Sequence, residues 1–231
     1  MTEYSKSIVD SGALVAFPPE TVKLPLGRII SEAGFRQLRA AESEKERFVT
    51  FYFNGQQEIA FEGEDRLIVP SPKVATYDLK PEMSARELTQ SVIKKLEGTA
   101  GYRFVLINFA NADMVGHTGN IGATVKACEV VDECLGKLSD WALAYGSSII
   151  ITADHGNAEV MINQATGGID TEHNDSMVPL IVISQKFMGN PVTISPGILA
   201  DVAPTILTLM GLKIPESMTG HSLLDSKLWR T

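Results

Sequence analysis

Residues 102–120 read "YRFVLINFANADMVGHTGN", and residues 147–159 read "SSIIITADHGNAE". Each opens as an apolar run rich in β-branched and aromatic residues, then reaches an aspartate and a histidine within a few positions. Runs of this length bounded by polar or glycine positions predict strands, and their near-continuous apolar character predicts cover on both faces. Between them, from Ile121, the positions Val125, Cys128, Val131, Leu135, Leu138 and Ala142 advance by threes and fours, which predicts one long amphipathic helix ending near Gly146. Strand, helix, strand is a crossover unit, so this part of the sheet is expected to be parallel. Both aspartate–histidine pairs then fall at carboxyl ends of strands, on one edge of the sheet, where open α/β sheets place their sites.

Outward from this unit, "RFVTFYF" (47–53) and "VPLIVIS" (178–184) are also read as strands. Ser84 with Glu87 forms an S-x-x-E start signal for a helix running to about Leu96. A last helix is expected over 201–210, with Asp201 as its cap and Gly211 as its stop. "FPPE" (17–20) and "VPSPK" (69–73) mark loops, the first a candidate hinge or domain boundary, and Asp65 and Arg66 read as turn residues. The fold class is α/β, a mostly parallel sheet sandwiched between helices.

The chain has 231 residues, enough for one large core or two small ones, and 44% of them are hydrophobic without any run long enough to span a membrane. The amino terminus does not show the charged, apolar and small-residue zones of a signal peptide. Cys128 and Cys134 lie on different sides of one predicted helix, which suits reduced core thiols and a cytoplasmic setting. Net charge is −8 and no basic run is interleaved with aromatics, so neither nucleic acid nor membrane is an expected partner. A negative chain can still handle anions where bound cations or a few placed lysines reverse the local field.

Of the four histidines, three fall into one expected cluster. Asp113 and His117 follow the first strand, Asp154 and His155 follow the second, and His173, in "DTEHNDSMVP", can be returned to the same edge by its loop. Gly116, Gly119 and Gly156 suit sharp loops that expose these side chains. Three imidazoles and two carboxylates suit zinc, manganese or a similar divalent ion. Five donors exceed one open catalytic site and suggest two ions about 3.5–4 Å apart, the arrangement that stabilises attacking and leaving oxygens in phosphoryl transfer. Either D-x-x-x-H or D-H-G alone is more simply a loop aspartate beside a hydrogen-bonded histidine; placing both after sequential strands is what favours metal. His221, in "MTGHSL", has no acidic neighbour in sequence and reads as a surface or loop histidine.

The segments "VAFPPE", "ISEAGFRQLRAAESEKERFVTFYFNG", "GEDRLIVPSPKVATYDLKPEMSA", "NFANADMVGHTG" and "ITADHGNAEVM" together resemble the carboxyl-terminal part of the cofactor-independent (2,3-bisphosphoglycerate-independent) phosphoglycerate mutases of the alkaline phosphatase superfamily. The resemblance spans nearly the whole chain. It implies interconversion of 3-phosphoglycerate and 2-phosphoglycerate through a phosphoserine, with two divalent ions, manganese foremost and zinc, cobalt or magnesium as alternatives. By motif, Asp113, His117 and His173 would hold one ion, Asp154 and His155 would supply part of the second shell, and Lys45, in "ESEKERF", would contact the transferring phosphoryl group. Spacing alone reads Lys45 as a solvated charge beside Glu44 and Glu46. Around His173 the loop departs somewhat from the family pattern.

In the family the serine nucleophile, an aspartate ligand and the inserted substrate-gripping domain precede the segments found here. The resemblance therefore implies that residues 1–20 are a remnant of that domain and its hinge, and that residues 21–231 are the carboxyl-terminal part of the phosphatase-type domain without its first strands. The chain alone is then expected to be inactive or weakly active, with phosphoglycerate as substrate of the complete enzyme and either an amino-terminal half or self-association covering the strand edges left open. Two other readings remain open: a metal-dependent phosphohydrolase, which lacks an evident nucleophile here, and a catalytically silent metal-binding module that pairs with a separate amino-terminal half.

Overall fold

In the computed structural model, residues 10–17, 21–99, 101–163, 165–189 and 194–224 are described. The remnant and hinge expected over residues 1–20 thus lie mostly outside the described residues. The elements run α1 (Leu26–Glu32), β1 (Arg36–Glu42), β2 (Glu64–Val69), α2 (Ala85–Gly98), β3 (Tyr102–Asn108), α3 (Asn111–Gly116), α4 (Ile121–Ala144), β4 (Ile149–Thr152), β5 (Leu180–Ile183) and α5 (Val202–Met210), with short 3-10 turns between.

Strands β2, β1 and β3 form a parallel sheet in that order, with β1 at its centre. On one face Ala40, Val69, Val105 and Ile107 pack against Leu88 and Val92 of α2 and Leu138 of α4. On the other, Phe104 meets Leu26 and Ile30 of α1 and Leu207 of α5. The sheet is therefore flanked by helices on both faces, as the sequence predicts. The strands joined by α4 do not pair with each other: β4 pairs antiparallel with β5, Ile149 opposite Ile183 through Thr152 opposite Leu180. No helix among the described residues is long and apolar enough to cross a membrane.

Two strands escape the hydrophobic reading. β1, "RQLRAAE", is polar in sequence yet buried from Gln37 through Glu42; each of its buried polar side chains makes at least one hydrogen bond, while Arg39 Nε, Arg39 Nη1 and Glu42 Oε2 have no hydrogen-bond partner among the described residues. Gln37 Nε2 donates to Gly27 O at 2.8 Å, Arg39 Nη2 donates to Gln37 Oε1 at 2.6 Å, and Glu42 Oε1 accepts from Ser84 N at 3.0 Å. The Arg39 guanidinium lies over the Phe53 and Phe104 rings at 4.3 and 5.3 Å, and burial pushes its pKa down to about 10. Asp65 and Arg66 are not turn residues: they belong to β2, where Asp65 takes the Arg36 ion pair at 2.7 Å and the Tyr102 hydroxyl, and Arg66 pairs with Glu64 at 2.8 Å.

The run at 47–53 is a π-helical turn over Phe48–Tyr52 rather than a strand. Helical spacing brings Phe48 and Tyr52 to 5.5 Å between centroids, while Lys45 and Arg47 sit over the rings of Phe48 and Phe51, both at 4.2 Å. Local aromatic and cation–π packing thus overrides strand propensity. In α4 the buried face is Thr124, Ala127, Val130, Cys134, Leu138 and Ala142, rotated from the predicted one in its first half. Ile121 and Val125 are about half exposed and line a surface groove with Cys128, Ala158 and Met161. Both cysteines are free thiols, but only Cys134 is in the core, so the expectation for Cys128 fails.

Helix α2 starts at Ser84 as predicted, yet Ser84 Oγ donates to Pro70 O at 2.7 Å instead of capping. Asp201 precedes α5 but likewise makes no side-chain cap. Its carboxylate accepts from Ile198 N at 2.9 Å and His221 N at 2.8 Å, and His221 Nδ1 lies 3.2 Å away, so His221 has an acidic partner that the sequence hides. Those backbone bonds hold the Asp201 carboxyl below its ordinary range. A depressed folded-state pKa contributes stability above the unfolded pKa and loses it as pH falls through the folded one. Asp201→Asn is therefore expected to lower the thermal midpoint at neutral pH and to narrow its gap from the parent as pH falls from about 5 to 3; a gap constant across that range contradicts the assignment.

Candidate metal centre

Asp113 and His117 do not sit in an open loop. Helix α3 begins three residues after β3, and His117 is its C-cap, so the two are one turn apart with His117 N donating to Asp113 O at 3.1 Å. The i, i+4 spacing puts both side chains on one side of the helix. Gly119 makes the following turn at φ 72°, a conformation glycine supplies freely. Gly116 is needed for a different reason: a Cβ there would lie 2.5 Å from Asn157 Oδ1.

The second loop follows β4. Gly156 exchanges both backbone hydrogen bonds with Asn174, at 3.2 and 3.0 Å, and this bridge returns the 173 loop to the carboxyl ends of the strands. His173 Nε2 lies 2.9 Å from Asp113 Oδ1 and 2.9 Å from His117 Nε2, and His117 Nε2 lies 3.2 Å from Asp113 Oδ1. The donor atoms of Asp113, His117 and His173 fall within 4.8 Å of one another. His155 stacks on His173 with ring centroids 3.8 Å apart. Asp154 stays at the rim, its side chain 63% exposed and 3.5 Å from His155 Nε2. The fold thus gathers three predicted donors tightly, brings His155 beside them, and leaves Asp154 facing solvent.

Lys45 is no solvated charge. It is buried at the end of the 3-10 turn Ser43–Lys45, and its Nζ donates to Asp113 Oδ2 at 2.5 Å. Burial pushes the Asp113 carboxyl up, but the Lys45 hydrogen bond and charge, helped by His117 and His173, outweigh it and hold the pKa at about 2. The carboxylate is therefore ionised at neutral pH. His117 Nδ1 lies 2.6 Å from Thr171 O, a contact that requires the proton on Nδ1 and leaves the Nε2 lone pair directed at the cluster. One ionised carboxylate oxygen and facing imidazole nitrogens form a donor set that fits a divalent transition ion.

One residue in contact with the cluster was missed in sequence although it lies within the quoted "TADHGNAE". Asn157 is buried, its Nδ2 donates to Asp113 Oδ1 at 3.1 Å, and its own N–H donates to Glu159 Oε2 at 2.9 Å. It holds the orientation of the Asp113 carboxylate from the opposite loop. Asn157→Ala is expected to weaken divalent-metal binding about 10- to 100-fold with the secondary structure unchanged, read by calorimetric titration; unchanged affinity contradicts that role.

A 2,3-bisphosphoglycerate-independent phosphoglycerate mutase of Clostridioides difficile is 51% identical over 225 residues, covering 97% of this chain and 43% of that protein. Its namesake from Thiobacillus denitrificans is 49% identical over 224 residues, covering 97% and 42%. The chain spans less than half the length of these curated relatives. The crystal structure of Leishmania mexicana phosphoglycerate mutase at low cobalt concentration matches with a TM-score of 0.81 at 28% identity, over 96% of this chain and 43% of that one. The Metalloenzyme superfamily model matches residues 10–214, a span that contains every donor of the cluster, and the chain belongs to that superfamily.

Proposed function

We propose that this chain is the metal-binding, carboxyl-terminal portion of a cofactor-independent phosphoglycerate mutase, an isomerase that interconverts 3-phosphoglycerate and 2-phosphoglycerate in the cytoplasm. The observation that carries this reading is a buried lysine, Lys45, on the same carboxylate that faces two imidazoles. A cation poised at a metal ligand is what a phosphoryl group entering the site would meet. Identity near one half to mutases along nearly all of this chain supports the same substrate class.

In this reading Asp113, His117 and His173 hold one ion. Asp154 and His155 supply part of the shell of a second, which needs donors from outside the chain. Manganese is the favoured metal, with zinc, cobalt or magnesium as alternatives. When bound, the ions lower the pKa of the attacking hydroxyl and neutralise charge on the transferring group. Asn157 and the Thr171 carbonyl fix the orientation of Asp113 and His117, and Lys45 binds the phosphoryl oxygens. The serine nucleophile lies in the part of the relatives that this chain does not span. Residues 21–231 form the phosphatase-type portion, and residues 1–20 a remnant of the inserted domain and its hinge.

The test pairs elemental analysis of the purified chain with a 3-phosphoglycerate to 2-phosphoglycerate assay, run with the chain alone and with the missing portion of the C. difficile relative added. Bound divalent metal, negligible turnover alone and turnover on addition are expected. Failure to bind metal, or hydrolysis of phosphoglycerate to glycerate as the main reaction of the combined chains, overturns the reading.

A further inference from the structure

Glu159 belongs to neither aspartate–histidine pair and its side chain is exposed, yet its carboxylate is engaged from two loops. Oε2 accepts from Asn157 N at 2.9 Å, inside the turn that follows His155. Oε1 lies against Gly156, where an added Cβ would overlap both Glu159 Oε1 and Asn174 Oδ1. Burial pushes the carboxyl up, but hydrogen bonds from the backbone of Asn157 and of Glu159 itself, joined by the side chains of Ser176 and Asn174, outweigh it and hold the pKa below the ordinary range. One carboxylate thus faces the 155–157 turn on one side and the 174–176 turn on the other.

Those two turns carry the donors. Gly156 and Asn174 form an isolated bridge with bonds of 3.2 and 3.0 Å, and Asn174 Oδ1 accepts from Ser176 N at 2.9 Å. His155 immediately precedes Gly156 and His173 immediately precedes Asn174, so the bridge sets the spacing of two rings whose centroids are 3.8 Å apart. Asn157, next along, sends its side-chain amide to Asp113 Oδ1 at 3.1 Å. Two main-chain bonds without a flanking ladder are a weak tie, open to local fluctuation. A carboxylate that accepts from one turn and packs on the other reinforces it, because bonds to an ionised acceptor are stronger than neutral ones.

We infer that Glu159 is a positioning residue of the metal centre: it locks the 155–157 turn to the 174–176 turn, and so holds His173 and Asn157 where they face Asp113. The inference rests on the proposed metal centre and adds to it a residue outside the donor set. Glu159 acts through its acceptor oxygens, which distinguishes it from a carboxylate that only draws cations toward the rim by charge. Partners that orient ligands in this way are worth about 10- to 100-fold in metal affinity.

The experiment titrates cobalt(II) into the purified chain and its variants, reading affinity by calorimetry and ligand geometry by visible absorption at saturation. Glu159→Ala is expected to bind cobalt at least about tenfold more weakly, with a saturated spectrum displaced toward that of His173→Ala. Glu159→Gln keeps an oxygen for Asn157 N and removes the charge, so it is expected to stay within about threefold of the parent. Far-ultraviolet circular dichroism of the metal-free proteins checks folding. If Glu159→Ala does not fold, Glu159→Met, similar in length and without an acceptor, is read in its place; failure of both to fold overturns the inference, since Glu159 then holds the fold rather than the donors. Equal cobalt affinity in the parent and Glu159→Ala overturns it, as does a Glu159→Gln variant as weak as Glu159→Ala, or a weakened Glu159→Ala with the parent's spectrum. Each of these leaves the metal centre standing. A parent chain that binds no cobalt removes the metal centre, and the inference with it.

Discussion

Asp113→Asn is expected to lower manganese affinity by more than about 100-fold, a larger loss than removal of an orienting partner causes, as read by calorimetric titration of the dialysed chain. The substitution deletes the one carboxylate of the cluster and leaves two imidazoles whose Nε2 atoms face each other at 2.9 Å. It also strands Lys45, whose side chain is 9% exposed, without its counter-charge. Breaking a pair this buried costs up to about 3 kcal/mol in the metal-free chain, because the remaining ammonium stays desolvated. The double variant Asp113→Asn with Lys45→Met removes that penalty, so it should recover most of the stability and none of the metal affinity. Equal stabilities for the single and double variants would show that the pair is not coupled as its 2.5 Å contact implies.

Leu88→Ala is expected to destabilise the chain by about 2–5 kcal/mol. Leu88 is fully buried where α2 meets the sheet, packed with Ala40, Val69, Val92 and Leu138. The cavity would open in the layer that holds β1, β2, α2 and α4 together. A typical domain has about 5–15 kcal/mol in reserve, so a loss of this size is a large share of it. Guanidinium unfolding should show a lowered midpoint with an unchanged slope. A loss under about 1 kcal/mol would mean that the cluster collapses around the gap and that Leu88 does not hold the layer.

Where a segment makes its own case, the sequence was enough. β3, β4 and β5 are apolar runs, α4 keeps helical spacing over 24 residues, and Asp113 with His117 repeats at one helical turn. Where stability comes from partners distant in sequence, it was not. β1 looks unlike a central strand because the partners of Gln37, Arg39 and Glu42 (Gly27, two aromatic rings and Ser84) are distant in sequence. Asp65 looks like a turn residue until Tyr102 and Arg36 arrive from β3 and β1. Lys45 between two glutamates looks solvated until Asp113, 68 residues on, is placed against it. His221 gains Asp201 in the same way. The candidate cluster was legible because Asp113 with His117 and Asp154 with His155 follow strands and a third histidine lies in the next loop; Asn157 and Thr171, which contact it, carry no signal beyond lying in the same loops.

The most direct test of the account is the anomalous scattering of manganese in crystals of this chain, collected beside a manganese-free control. A peak bounded by Asp113 Oδ1, His117 Nε2 and His173 Nε2, with the His155 ring at its border, is the expected result. Manganese located elsewhere, or no peak among these three side chains at saturating metal, would contradict the claim that they form a divalent-cation site.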